Sequence, residues 1–268
     1  VFDISMEVNR PYLQQLLKQN NQIFYFDHHI APSIPDSPQL RAFINTSPSM
    51  CTSLLVNQYL EQRHYLWAIT GAFGDNLNES ATILGHQHLV NEPQLKKLQE
   101  LGKLLNYNGY GSKVEELHFP PAILYQEVKG YVNPLDFWEA SPMLQELKVG
   151  FQEDFAKAKE YSPYHQSSIG EVYLFPDKGW SQRIAGTFTN HLARDNPNYA
   201  HALLIQNRDG TYMVSVRSPL ENRYGADTLC RQFSSGGGRV AAAGINALPE
   251  NEIDLFIQQF IATYSALK

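Results

Sequence analysis

Ile23-Phe24-Tyr25-Phe26-Asp27-His28-His29 is the stretch on which the reading of this chain turns. A run of apolar and aromatic residues this short and dense reads as a strand buried on both faces, as in a parallel sheet. The run stops at an acid and two imidazoles. In open α/β sheets ligands bind outside the carboxyl ends of strands, which is where Asp27, His28 and His29 fall. Carboxylate beside imidazole is also a donor set for a borderline divalent metal. Side chains alternate along a strand, so the three are expected to divide their tasks. One would be a direct ligand, one an orienting partner and one a substrate contact.

Outward from this strand, Val1 to Ser5 reads as a short strand tipped by Asp3, and Asn9 to Lys18 as a helix with a Leu13, Leu16, Leu17 stripe. Arg41 to Ile44 suggests a strand and Thr52 to Gln62 a helix. Tyr65 to Thr70 reads as another apolar strand leading to Asp75. Alternation of strand and helix favours a doubly wound, mainly parallel sheet. Three strand tips would then carry Asp3, the Asp27-His28-His29 triplet and Asp75, close enough to converge on ions. Helical patterns follow over Glu92 to Leu105 and Pro142 to Tyr161, with a loop between Asn106 and Gly111. Later come strands at Glu171 to Phe175 and His201 to Gln206, a turn at Asn207-Arg208-Asp209-Gly210, a return strand to Arg217, and an amphipathic helix over Glu250 to Leu267.

At 268 residues and 43% hydrophobic, the chain can bury one large core or two ordinary ones. A formal net charge of -6 gives no global positive field of the kind that advertises nucleic acid. Two cysteines, Cys51 and Cys230, form no CxxC motif and suit a reduced compartment. No apolar run approaches the roughly 18 to 20 residues of a membrane span, and no signal peptide is visible. The composition points to a cytoplasmic protein. The chain opens without Met, as though inside a strand, which suggests a preceding segment.

A second constellation is Ser234-Ser235-Gly236-Gly237-Gly238-Arg239, followed by Val240-Ala241-Ala242-Ala243-Gly244. Three glycines let backbone N–H groups turn toward an anion, and an Ala-rich helix after them would add its dipole. Arg239, and Arg217 at the end of Ser215-Val216-Arg217, would complete a phosphate clamp. His86 and His88, two apart, suit a metal only on a strand. His64, His118, His165, His191 and His201 read as surface or satisfied core residues. Trp67, Trp138 and Trp180 read as packing, and Tyr107 or Tyr110 is placed to stack a base.

Asp-His-His after an apolar strand, followed in the last third by a GGG(H/R)xxAAG segment, resembles the DHH phosphoesterases that carry a C-terminal DHHA1 domain. The resemblance covers nearly the whole chain. It implies a DHH domain over residues 1–140, a helical linker over 141–163 and a smaller α/β DHHA1 domain over 164–268. Such proteins are phosphohydrolases using two divalent ions, usually Mn²⁺, with Mg²⁺ an alternative. They include single-strand exonucleases similar to RecJ, oligoribonucleases, cyclic dinucleotide phosphodiesterases and exopolyphosphatase-like proteins. The resemblance implies that Asp3, His28 and Asp75 bind metal, that Asp27 orients its neighbours and that His29 contacts the substrate phosphate. In the second domain it implies substrate binding by Arg217, Gly236, Gly237, Gly238 and Arg239 across an interdomain cleft. The sequence departs from the family in three ways. The family's first motif would lie ahead of Val1, Asp75 is followed by Asn76 and Leu77 where Thr and Gly are usual, and Arg239 stands where many members have His. Arginine stays charged, which suits phosphate binding rather than proton donation.

The expected protein is therefore a metal-dependent phosphoesterase acting on a small nucleotide or short oligonucleotide. A RecJ-like exonuclease, an exopolyphosphatase-like enzyme and a nucleotide-binding protein with a decayed metal site are its rivals. Its partners would be the phosphorylated substrate and no membrane, with a homodimer as one option.

Overall fold

Residues Val1–Leu267 are described in the computed structural model, and they divide into two units. One comprises Val1–Asn106 with Ala122–Gln145, the other Tyr107–Pro121 with Glu146–Lys268. The first begins with α1 (Arg10–Lys18), β1 (Ile23–Asp27), β2 (Leu40–Ile44), α2 (Thr52–Tyr59), α3 (Tyr65–Gly74) and α4 (Asn78–Gln87). It continues through α5 (Glu92–Tyr107), α6 (Pro121–Val128) and α7 (Pro134–Ala140). β1 and β2 are parallel, in register from Ile23↔Leu40 to Asp27↔Ile44. Alternation along β1 feeds two cores. Ile23 and Tyr25 pack with Met6, Leu13 and Leu17 on the α1 side. Phe26 stacks on Phe43 and meets Tyr59 of α2 edge-on at 5.2 Å on the other. The sheet is thus parallel and covered by helices on both faces, the α/β class expected.

Three expectations change here. Val1 to Ser5 is not a full strand, since only Phe2 bridges β1, in parallel at Phe26. Tyr65 to Thr70 is helical, so Asp75 ends a helix rather than a strand. Leu66 to Ile69 are apolar at every position, so the run carries no period to separate strand from buried helix. Its length of 10 residues belongs to a helix, and Asn57 Oδ1 accepts the His64 amide just ahead of it. His86 accordingly lies on α4 and His88 caps it, so the two occupy no strand.

The second unit holds α8 (Pro142–Lys159, from Glu146 onward), β3 (His165–Ser167), β4 (Gly170–Phe175), α9 (Gly179–Asp195), β5 (Ala200–Gln206) and β6 (Tyr212–Arg217). After these come α10 (Ala226–Cys230), β7 (Gly236–Arg239), β8 (Ala242–Leu248) and α11 (Ile253–Ser265). Its six-stranded sheet has the order β3-β4-β5-β6-β8-β7. Only β4 and β5 run parallel, joined by α9 as a crossover. One face buries Val172, Ala202, Leu204, Val214 and Val216 against Leu229, Phe256 and Phe260. The opposite face buries Tyr173, Phe175, Leu203 and Ile205 against Ile184, Ala185 and Phe188 of α9.

The expected Ala-rich helix after the glycines does not form. Gly236–Arg239 is an edge strand paired antiparallel with β8, so no helix dipole addresses that stretch. The Ala242–Leu248 segment instead pairs with β6 and β7, and this two-sided pairing outweighs alanine's helix preference.

Gly102 of α5 lies against α3, where a Cβ would run into the Thr70 carbonyl and the Gly74 amide, both backbone. Gly186, inside α9, has nothing within 4 Å of an added Cβ. Gly102→Ala is therefore expected to destabilise the protein by about 1 to 3 kcal/mol. Gly186→Ala should stabilise it by roughly 0.5 to 1 kcal/mol. Urea unfolding of the two variants checks the opposite signs.

Candidate functional site

At the tip of β1 the Asp27 side chain is completely buried. Its Oδ1 accepts the backbone amides of His28 at 2.8 Å and His29 at 3.3 Å, and the His29 Nδ1 proton at 2.7 Å. A carboxylate that takes the next two amides turns the chain out of the strand. Strand alternation therefore stops at Asp27, and both imidazoles reach the same region. Ligand atoms of Asp3, His28 and His29 lie within 4.8 Å of one another.

His28 is oriented from behind. Its Nδ1 sits 3.0 Å from the Met50 carbonyl oxygen, which can only accept, so Nδ1 carries the proton. The basic Nε2 is left facing Asp3 Oδ1 at 3.5 Å. A histidine whose second nitrogen is tied to a carbonyl is the usual arrangement of a metal-ligating imidazole. His29 is arranged alike, with Nδ1 on Asp27 and Nε2 bare.

Asp3 takes a left-handed backbone, φ 57°, a conformation that aspartate tolerates better than most residues. Its amide donates to the Phe26 carbonyl, and Thr52 Oγ1 donates to its Oδ1 at 2.7 Å. Thr52 escaped the sequence reading, because a threonine in the first turn of a helix looks like an ordinary helix-start residue. Asp75 lies on the other nitrogen of His28, with Oδ2 3.8 Å from Nδ1. It caps α3 through a left-handed Asn76 (φ 62°), with Leu77 N on the Ala72 carbonyl at 2.8 Å and Asn76 N on Phe73 at 3.1 Å. These two bonds form a Schellman motif with Asn in the position glycine usually takes.

The structure thus gathers Asp3, Asp27, His28, His29 and Asp75 at one place, with Asp75 bordering the tight Asp3–His28–His29 group. Neither Asp3 nor Asp27 has a lysine or arginine partner among the described residues, and the buried Asp27 Oδ2 has no hydrogen-bond partner. Concentrated negative charge, a bare carboxylate oxygen and two imidazoles with free Nε2 atoms fit a divalent cation.

In the other unit, Arg217 is in register with Ala242 of β8, and Ala242 with Arg239 of β7. Directly opposed residues share a face, so the two arginines stand on one side of the sheet with an alanine between. Gly237 and Gly244 oppose each other further along the same pair of strands. The row continues inward from Arg217 to His201 and Glu171. Asn190 of α9 accepts the Arg217 Nε proton at 2.8 Å. Burial lowers the Arg217 pKa, and Tyr110 partly opposes this. Gly236 and Gly238 belong to the same edge strand and present no helix terminus.

Tyr107 does not stack a base. It is 1% exposed, and its hydroxyl donates to Asp154 at 2.5 Å, where Arg183 also binds at 2.7 Å. His118 meets the same hydroxyl at 2.7 Å. This cluster pins residues 107–121 to their unit and leaves Tyr110 exposed. His201 is fully buried, and its Nδ1 lacks a hydrogen-bond partner. Both cysteines are free and buried, and burial pushes the Cys230 thiol up to about 12, unlike a reactive thiolate. No helix among the described residues is long and apolar enough to cross a membrane.

No protein-family model matches the sequence, and no curated protein does. Solved structures do match. A DHH domain from a member of a ribosomal protein family superposes with a TM-score of 0.59 at 13% identity, covering 97% of this chain and 66% of that one. An exopolyphosphatase-related protein from Bacteroides fragilis gives 0.52 at 13% identity, over 99% of this chain and 71% of that one. The chain thus spans just under two thirds of the first of these structures. The fold is that of the DHH-domain proteins.

Burial holds His201 neutral, with its pKa brought down from 6.5 to about 4. A group depressed on folding contributes stability that is present above its unfolded pKa and lost as pH falls toward the folded one. Between pH 6.5 and about 4 the wild-type unfolding free energy should fall more steeply than that of His201→Gln. The difference should approach about 1.4 kcal/mol per pH unit. Equal slopes in denaturant titrations would show that His201 takes up its proton in the folded state.

Proposed function

We propose that this protein is a divalent-metal-dependent phosphoesterase of the DHH family, hydrolysing a phosphate ester or anhydride of a small nucleotide or short oligonucleotide. One observation carries the reading: His28, tied through Nδ1 to the Met50 carbonyl, points a bare Nε2 at Asp3 beside a buried carboxylate with an unsatisfied oxygen. That combination suits a metal-ligating imidazole, and the DHH-domain fold supports it.

In this reading Asp3, His28 and Asp75 hold metal, Mn²⁺ by preference and Mg²⁺ as the alternative. Bound divalent ions would supply an activated water and charge neutralisation at the phosphoryl oxygens. The chain's own residues do the rest. Asp27 fixes the tautomer and direction of His29, whose Nε2 then faces the substrate phosphate. Thr52 holds the exposed Asp3 carboxylate in place. Arg217 and Arg239, on one face of the second unit's sheet, bind phosphoryl oxygens. The small residues around them, Ala242, Gly237 and Gly244, keep side chains out of the way. An exposed Tyr110 offers a ring to a base.

The test is Mn²⁺ titration of the protein followed by hydrolysis of bis-p-nitrophenyl phosphate and of a dinucleotide. His28→Gln and Asp3→Asn should lose Mn²⁺ binding and activity together, and chelation should abolish turnover. Asp27→Asn, which perturbs the orienting partner, should weaken metal affinity by about 10- to 100-fold. Arg217→Ala should leave Mn²⁺ binding intact and raise KM by the equivalent of about 1.5 to 3 kcal/mol. Mn²⁺ binding that survives both His28→Gln and Asp3→Asn would sink the assignment.

A further inference from the structure

Arg217 has five N–H donors. Nε donates to Asn190 Oδ1 at 2.8 Å, and Nη1 donates to Ser215 Oγ and to the Val216 carbonyl, each at 3.1 Å. Nη2 makes no hydrogen bond among the described residues, and no carboxylate there pairs with the guanidinium. The same unit treats its other half-buried arginine differently: Arg183 is neutralised by Asp154, at 2.8 Å from Nε and 2.7 Å from Nη2. A desolvated cation left without a counter-ion is costly, so its retention calls for a reason.

The side chains that hydrogen-bond to Arg217 or stand opposite it in the sheet are neutral. His201, directly opposite on β5, is kept uncharged by burial. Ala242 stands opposite on β8. The nearest acid along the row, Glu171, lies one strand beyond His201. On α9, Asp195 is turned to His191 at 3.2 Å. On α9, at the position where an acid would meet Nε as Asp154 meets that of Arg183, the chain has Asn190.

We propose that Asn190 is a positioning and specificity residue: its amide oxygen fixes the Arg217 guanidinium, and its lack of charge leaves that cation to a phosphoryl oxygen anion at Nη2. The inference rests on the reading of Arg217 as a phosphate contact. It adds that the neutrality of position 190, and not its hydrogen bond alone, decides whether an anion binds. Aspartate there would accept the same proton from Nε and hold the guanidinium in the same place, while occupying its charge.

The experiment measures inorganic phosphate and pyrophosphate binding to the full chain by calorimetry, with thermal melts, for Asn190→Asp, Asn190→Ala and Arg217→Gln. Asn190→Asp should melt at or above the wild-type temperature and yet bind pyrophosphate about tenfold or more weakly. In hydrolysis its KM should rise with kcat little changed. Asn190→Ala, with charge unaltered, should lose less affinity than Asn190→Asp. A merely structural role predicts the reverse order, because aspartate restores the hydrogen bond and alanine does not. If Asn190→Asp fails to fold, Ser215→Asp brings the same charge to Nη1 from β6 and should show the same loss. Pyrophosphate binding by Asn190→Asp within about twofold of wild type, with Arg217→Gln defective, overturns the inference while the phosphate contact stands. Unchanged binding by Arg217→Gln overturns both.

Discussion

A buried carboxylate with hydrogen bonds on one oxygen alone is the constraint from which the first unit is built. Asp27 is buried at the tip of β1, one oxygen saturated by two amides and an imidazole, the other bare. An isolated buried anion is among the most costly groups a fold can contain. Here it ends the strand, swings His28 and His29 to a common side and sets the tautomer of His29. Asp3 is brought to the same spot by a single backbone bridge and a left-handed turn, and is then fastened by Thr52. The bare Asp27 oxygen and the left-handed Asp3 are unfavourable taken alone, and in the proposed reading a shared cation would offset both.

The second unit poses the opposite problem. Arg217 is a desolvated cation whose neighbours are amide, hydroxyl, neutral imidazole and methyl. Arg183, by contrast, is given its acid and a phenol besides, and does nothing but fasten residues 107–121. One arginine of the unit is neutralised by an acid, and the other is hydrogen-bonded to neutral groups alone. Backbone hydrogen bonding does not distinguish the two sites; their charge balance does.

What was legible in the sequence follows from which signals are local. The Ile23–Asp27 strand, the Arg10–Lys18 helix and the Asn207–Gly210 turn carry their own periods or turn residues, and each forms where expected. The triplet was legible because acids and imidazoles at the end of an apolar run have few structural uses. Tyr65–Gly74 failed for the contrary reason: a segment buried all round has no polar face to mark its period. The Ala-rich stretch failed because pairing on two sides overrides propensity, and its β6 partners lie some 25 to 36 residues away in sequence. Asn190 and Thr52 were invisible because each matters only through a residue it meets in space, 27 and 49 positions distant.

The stretch after Asp75 shows how this chain ends α3 with no glycine at the cap. The residues Asn76 and Leu77 stand where the resemblance leads one to expect Thr and Gly. Ending α3 needs one residue able to adopt positive φ just past the cap, and asparagine is the best substitute for glycine in that role. Asn76 adopts φ 62°, and the Leu77 amide closes the wider of the two capping turns, to Ala72, while its side chain packs against the core of α2, α3 and α5. The helix therefore stops at Asp75 without a glycine. The Asp75 carboxylate then lies 3.8 Å from His28, so the position of this helix end, set by the φ that Asn76 tolerates, also sets where the acid stands.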